Sequence, residues 1–176
     1  EDQRRAFTGI MAHELAHQWW GQAVGWKNYH EQWISEGFAQ YFAALYAEKA
    51  LDANVFPSVL RQMRRSGIDM SPQGPIHLGY RLGHIRAERP VFRSLVYNKS
   101  AIVLHMLRRL VGDEVFFKGL RRFYAENRYK KAGTDDFQKA MEVNGIVPGK
   151  DVILKNMPPG EQMALPKGID GVVPWD

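Results

Sequence analysis

His13 and His17 stand four residues apart in Met11-Ala12-His13-Glu14-Leu15-Ala16-His17-Gln18-Trp19-Trp20. On a helix of about 3.6 residues per turn they lie one above the other on one face, close enough to share a metal ion. Two such imidazoles make half of a tetrahedral zinc site. Glu14 follows the first histidine directly, so its carboxylate projects beside the metal rather than onto it, where it can take a proton from metal-bound water. This is the H-E-x-x-H (HEXXH) spacing of metal-assisted peptide hydrolysis. Phe7, Ile10, Met11, Leu15 and Trp19 recur at three- and four-residue spacing and Gly21 follows the last turn, so the stretch reads as a helix. The ligands therefore have a stiff support.

A hydrolytic zinc site needs a third protein ligand and an open fourth position. Glu36 is the candidate. It lies in Trp33-Ile34-Ser35-Glu36-Gly37-Phe38-Ala39-Gln40-Tyr41-Phe42, where aromatic and small residues at helical spacing predict a second buried helix. Eighteen residues separate His17 from Glu36, and the turn region 21–29 between the two periodic stretches is long enough to set the helices side by side. A carboxylate on an apolar helical face needs a partner, because burying it unpaired is expensive. A zinc ion shared by His13, His17 and Glu36 would be that partner.

H-E-x-x-H, eighteen residues and then Glu36 within Trp33-x-x-Glu36-Gly37-Phe38-Ala39 resembles the gluzincin aminopeptidases of the aminopeptidase N type. Val96-Tyr97-Asn98-Lys99-Ser100-Ala101, followed by Val103-Leu104-His105-Met106-Leu107, is similar to the family's segment with its catalytic tyrosine. Gly112, residues 116–120 and Thr134-Asp135-Asp136-Phe137 match the helices that follow, so the similarity covers roughly residues 5 to 142. Ser35 stands where the family usually has Asn, and Ser100 where it usually has Gly. The resemblance implies a mainly α fold, the helical lobe of a thermolysin-like metallopeptidase catalytic domain, with one zinc ion and peptide substrates cut at their N-terminal residues. It also implies Glu14 as general base and the Tyr97 hydroxyl as oxyanion donor opposite the metal, worth roughly 3 kcal/mol for such a group. The family's upstream Gly-x-Met-Glu-Asn strand, whose carboxylate holds the substrate's free amino group, has no counterpart in this sequence. The expectation is the C-terminal part of that domain, without the upstream β-sheet lobe that would be its partner.

Helices must carry these groups. Asp52 is placed to cap a third helix containing Val55, Val59, Leu60 and Met63, with Arg61, Arg64 and Arg65 facing outward. The stretch 67–90 holds Gly67, Pro72, Gly74, Pro75, Gly79, Gly83 and Pro90, which predicts an irregular loop with a short helix at most, delivering the chain to Tyr97. Three more helices are predicted: Tyr97 to Val111 ending at Gly112, a second capped by Asp113 and running to about Asn127, and a third capped by Thr134 and running to about Val143. Residues 1–143 thus form a helical zinc-binding catalytic lobe. Residues 144–176, with five prolines and five glycines, predict an irregular tail docked on the same domain through Val152, Ile153, Leu154 and Trp175.

Composition agrees with one folded domain: 176 residues, 45% of them hydrophobic and 12% aromatic. The absence of cysteine excludes disulfides and leaves histidine and carboxylate as metal ligands. No apolar run is long enough to span a bilayer and the first residues are charged rather than signal-like, so the chain is expected to be soluble, with its compartment undetermined. The net charge of +5 raises nucleic acid as a partner, yet residues 108–131, with eight Lys or Arg against three acids, hold the whole excess. These cations interleave with Leu110, Val115, Phe116, Leu120, Phe123 and Tyr124 at helical spacing, which reads as the solvated faces of amphipathic helices and not as a nucleic-acid surface.

Each functional assignment has a structural alternative. H-E-x-x-H on a helix is also the pattern of an exposed salt-bridging stripe, and Tyr97 by itself is an ordinary tyrosine. Trp19, Trp20, Trp26 and Trp33 read as packing around the zinc helices, and His30, His77, His84 and His105 as local structural residues. A zinc-stabilised scaffold or interaction domain without turnover would keep His13, His17 and Glu36 but have no use for Glu14 or Tyr97.

Overall fold

The computed structural model describes residues 2–82 and 88–142; the tail expected over 144–176 lies outside them. Helix α1, Asp2–Ala16, runs into a turn where Gly21 adopts a φ of +114°, a conformation that favours glycine. A short strand β1, Val24–Trp26, and a single 3₁₀ turn, Tyr29–Glu31, lead into α2, Trp33–Ala50. Helix α2 is apolar on nearly every side: Ile34, Phe38, Ala39, Tyr41 and Ala44 are all fully buried, which makes it the central helix. Helices α1, α3 (Val55–Asp69) and α5 (Ser100–Val111) pack around it, and α6 (Asp113–Asn127) packs with α7 (Thr134–Glu142). A fourth, short helix α4, Arg89–Phe92, precedes the Tyr97 segment.

Strand β2, Lys130–Ala132, pairs in parallel with β1, placing Val24 opposite Lys130 and Trp26 opposite Ala132. This pair ties the turn after α1 to the end of α6. Behind it lies an aromatic cluster in which the Trp20 and Phe38 rings are 4.7 Å apart, Phe38 and Phe137 5.2 Å, and Phe123 and Phe137 5.3 Å. Trp20 closes the histidine-bearing segment and Trp33 opens the helix of Glu36, so burying these rings fixes the two ligand-bearing segments against each other. Among the described residues no helix is long and apolar enough to cross a membrane.

The mainly α architecture is as expected, but several local expectations change. Helix α3 continues through Gly67 to Asp69, and 3₁₀ turns at Ser71–Gln73 and Ile76–Leu82 follow, so residues 67–82 hold more regular structure than the short helix expected there; Gly83 lies outside the described residues. Tyr97 does not open an α-helix; it sits in a π-helical turn, Arg93–Lys99, that passes into α5 at Ser100. Asp113 makes no capping bond, and Gly112 occupies the cap position of α6. Of the residues whose periodicity signalled a helix, Ile10, Met11 and Leu15 lie on the exposed side of α1 at 54%, 54% and 62% exposure, and Trp19, in the turn after the helix ends at Ala16, is 45% exposed. Trp19 is thus not part of the packing shell that Trp20 and Trp33 form.

Arg108 departs from the expected solvated face. Arg109, Lys118, Arg121, Arg128, Lys130 and Lys131 are exposed, whereas Arg108 is buried with its guanidinium 2.9 Å from Glu48 and 2.7 Å from Asp113, over the Phe117 ring. A cation that α5 carries into the junction of α2 and α6 needs carboxylates from both.

Close approach at Gly37 sets the spacing between α2 and the Tyr97 segment. A Cβ there would run into Ser100 Cβ and meet the Val96 carbonyl oxygen at 3.3 Å, and Ser100 is fully buried. Gly37→Ala is therefore expected to lower stability by about 1–3 kcal/mol, the usual cost of overpacking, measured by urea unfolding. An unchanged midpoint would show that the two elements separate freely.

Candidate metal centre

His13 lies in the last turn of α1 and His17 just beyond its end, with the His17 amide still bonded to the His13 carbonyl at 3.3 Å. Their Nε2 atoms are 3.1 Å apart. Glu36, in the first turn of α2, brings Oε2 to 3.4 Å from His13 Nε2 and 3.2 Å from His17 Nε2. Among the described residues this is the one group of three or more His, Asp or Glu with ligand atoms close enough to hold a metal ion. His13 is buried, and the side chains of His17 and Glu36 are 20% and 17% exposed, so the group is sheltered but reachable.

The hydrogen bonding around these atoms decides what they can do. His17 Nδ1 lies 2.9 Å from the Trp20 carbonyl oxygen, and a hydrogen donated there leaves Nε2 of the neutral ring as a bare lone pair. Glu36 Oε2 is buried with no hydrogen-bond partner, and so is His13 Nδ1. Lone pairs that converge without a proton between them repel unless a cation lies among them. Bonds of about 2.0–2.1 Å to zinc in a tetrahedral site put ligand atoms about 3.3 Å apart, and the distances here are 3.1, 3.2 and 3.4 Å. The three residues fit a zinc ion with one position left over.

Burial pulls the Glu36 carboxyl upward, but in the metal-free protein a hydrogen bond from His13, the charge of His17 and a hydrogen bond from Tyr97 outweigh it and hold the group below the usual carboxylate range. Tyr97 lies beside them, its ring stacked on His13 at 5.5 Å and edge-on to Phe92 at 5.9 Å. Burial, and then the neighbouring Glu36 carboxylate, push the Tyr97 hydroxyl above its ordinary value, so it remains a hydrogen-bond donor at neutral pH. Glu14 is on the exposed side of α1, near enough for its charge to add to that upward push. The structure thus brings His13, His17, Glu36 and Tyr97 together, with Glu14 at their edge.

Ser35 is a contributor that spacing did not reveal. It is buried, its hydroxyl donates to the Trp20 carbonyl at 3.2 Å, and the same oxygen lies 3.2 Å from His17 Nδ1. Gly21 makes room for it, since a Cβ at that position would run into Ser35 Oγ. Holding His17 Nδ1 against these fixed partners sets the ring's tautomer and direction. The hints in the sequence were that Ser35 precedes Glu36 directly and stands where the resembled family usually has Asn. Elsewhere, His105 Nδ1 meets the Tyr41 hydroxyl at 3.1 Å and His30 Nδ1 the His77 carbonyl at 3.0 Å, both local roles as expected; His84 lies outside the described residues.

The sequence matches the peptidase family M1 domain over residues 1–156. It is 30% identical over 156 residues to the glutamyl aminopeptidase of Bitis rhinoceros and 32% identical over 158 residues to aminopeptidase N of Lactococcus lactis subsp. lactis, in each case over 85% of this chain. It spans only 16% and 18% of those two relatives. The crystal structure of an M1 zinc metallopeptidase from Deinococcus radiodurans superposes with a TM-score of 0.59 at 27% identity, over 77% of this chain and 29% of that one. A mutant of that metallopeptidase has been crystallised with a Tyr-Ser-Ala substrate and is similar to this chain to the same degree, with a TM-score of 0.59. With its histidine pair, its distant glutamate and a family match over nearly all of its length, the chain belongs to peptidase family M1.

Proposed function

We propose that this chain is the helical, metal-binding lobe of a zinc aminopeptidase and works as one piece of a longer polypeptide. The observation that carries the reading is the triangle of His13 Nε2, His17 Nε2 and Glu36 Oε2, with sides of 3.1, 3.2 and 3.4 Å and an orphaned carboxylate oxygen at one corner. Three further facts support it. The chain belongs to a peptidase family, the curated relatives quoted above are named aminopeptidases, and it spans less than a fifth of their length. The apolar side of α1 formed by Ile10, Met11 and Leu15, with Trp19 in the turn that follows, flanks Glu14 and is exposed, which suits a surface covered by the rest of a catalytic domain. That covering part would form the second wall of the cleft and supply the anchor for the substrate's amino group.

His13, His17 and Glu36 would hold the zinc ion, which when bound would supply Lewis acidity at the peptide carbonyl and lower the pKa of water toward 7. Glu14 takes the proton of the attacking water on its carboxylate and returns it to the nitrogen of the departing amine. Its place beside the ligand trio and not within it suits a proton carrier. The Tyr97 hydroxyl, still protonated at neutral pH, donates to the carbonyl oxygen as negative charge gathers there. The Tyr97 ring, stacked on His13, keeps that donor next to the metal ligands.

The test is hydrolysis of aminoacyl anilides by the full-length polypeptide. Activity is expected to disappear on chelation and return with stoichiometric zinc. Cleavage confined to N-terminally blocked peptides would make the enzyme an endopeptidase instead. A polypeptide that binds one zinc and hydrolyses neither substrate would be the zinc-stabilised scaffold.

A further inference from the structure

The segment that carries Tyr97 is a π-helical turn, Arg93–Lys99, and such turns are rare, wide and marginal on their own. Converting it to α-helix would shift the register by one residue, a rotation of about 100° for everything before α5. Tyr97 would then leave the face of His13. Something must hold the wide turn open, and the sequence around it shows what does.

A polar chain runs through Asn98. Its Oδ1 accepts from Gln40 Nε2 at 3.1 Å, and its Nδ2 donates to Ser66 Oγ at 3.0 Å. Ser66 Oγ lies 2.7 Å from Ser94 Oγ, whose hydroxyl also reaches the Pro90 carbonyl at 2.9 Å. One carboxamide thus joins the turn to α2, one helical turn beyond Glu36, and to α3. Where the turn passes into α5, the buried Ser100 hydroxyl donates back to the Leu95 carbonyl at 3.2 Å.

Three glycines from three different elements face the same turn. Gly37 on α2 lies against Ser100 and the Val96 carbonyl, Gly67 on α3 against Lys99, and Gly79 in the 3₁₀ segment against Val96 and Leu95. A Cβ at Gly67 would be 3.2 Å from Lys99 Cα, tighter than ordinary van der Waals contact, and Cβ atoms at Gly37 and Gly79 would be closer still to their neighbours. The surroundings are cut back to the radius of a π turn.

We propose that Asn98 is a positioning residue for Tyr97: with Gln40 and Ser66 it locks the π-helical turn into the glycine-lined socket, in the single register that keeps the Tyr97 hydroxyl beside the metal ligands. The proposal rests on the reading of Tyr97 as oxyanion donor. Asn98 itself touches neither the metal ligands nor the site of reaction, and it acts through the backbone it fixes.

The test is a double-mutant cycle on the zinc-loaded, full-length polypeptide with an aminoacyl anilide substrate. Asn98→Ala is expected to lower kcat by roughly tenfold to a hundredfold, the effect of misplacing a catalytic group by about 1 Å, with KM and zinc content unchanged. In a Tyr97→Phe background the same change is expected to cost nothing more, because the group being positioned is already gone. Ser66→Ala, which removes the far end of the polar chain while leaving the carboxamide, is expected to show the same pattern with a smaller loss and stands in if Asn98→Ala does not fold. Equal losses of kcat in both backgrounds would reduce Asn98 to a general structural residue and overturn the proposal, as would full activity in Asn98→Ala when Tyr97→Phe is impaired. If Tyr97→Phe alone has wild-type kcat, the donor role of Tyr97 fails first and the positioning role with it.

Discussion

Glu14→Gln in the full-length polypeptide should leave one zinc per chain and lower kcat by about 10²–10⁴-fold, the range for losing a general base. The substitution keeps size and shape but replaces a carboxylate with an amide that cannot take up a proton at neutral pH. Metal content should hold because the trio that fits zinc, His13, His17 and Glu36, does not include Glu14, whose residue lies on the exposed side of α1. The fold should hold for the same reason, since Glu14 lies outside the buried core around α2. Measuring zinc by elemental analysis and kcat on aminoacyl anilides separates ligand from base in one variant. Undiminished turnover would remove Glu14 as the proton carrier. Loss of zinc along with activity would place its carboxylate among the ligands.

What the sequence made legible was chemistry tied to local geometry. Histidines four apart on a helix must share a face, and that spacing survives whatever surrounds the helix. The placement of Glu36 was legible at one remove, because a turn after α1 and an apolar helix to follow leave few ways to arrange two helices. Less was visible where packing decides. The periodic apolar residues of α1 announce a helix but not which of its sides is covered, and the covered side proved to be that of His13, Ala16 and Trp20. Arg108 reads like its cationic neighbours and is buried only because α2 and α6 bring Glu48 and Asp113 to it. The strand Lys130–Ala132 is too short and polar to announce itself, and its partner Val24–Trp26 lies over a hundred residues earlier in the chain. The π-helical turn at Tyr97 left no periodic trace, and its signal was distributed over Gly37, which reads as part of the Glu36 motif, and Gly67 and Gly79, which read only as scattered breakers.

Zinc should raise the unfolding temperature of this 176-residue chain by on the order of 10 °C, and Glu36→Ala or His17→Ala should abolish that rise. A ligand at a thousandfold excess over its Kd stabilises the folded state by about 4 kcal/mol, and a domain of this size gains roughly 2–4 °C per kcal/mol. The linkage holds because the unfolded chain does not preserve the convergence of atoms from α1 and α2 that makes the site. Without metal the same atoms behave differently: Glu36, held below its ordinary pKa by the two imidazoles against its burial, contributes stability above the usual carboxylate range that is lost as pH falls through its lowered value. The metal-free wild type should therefore weaken in acid through this group, and Glu36→Ala should flatten that part of the pH profile while also losing its response to zinc. Melting curves with and without zinc, at neutral pH and in acid, check both halves of the argument. A zinc-dependent rise that survives Glu36→Ala would show that α2 does not supply the third ligand, and the arrangement on which the catalytic reading depends would have to be sought elsewhere in the chain.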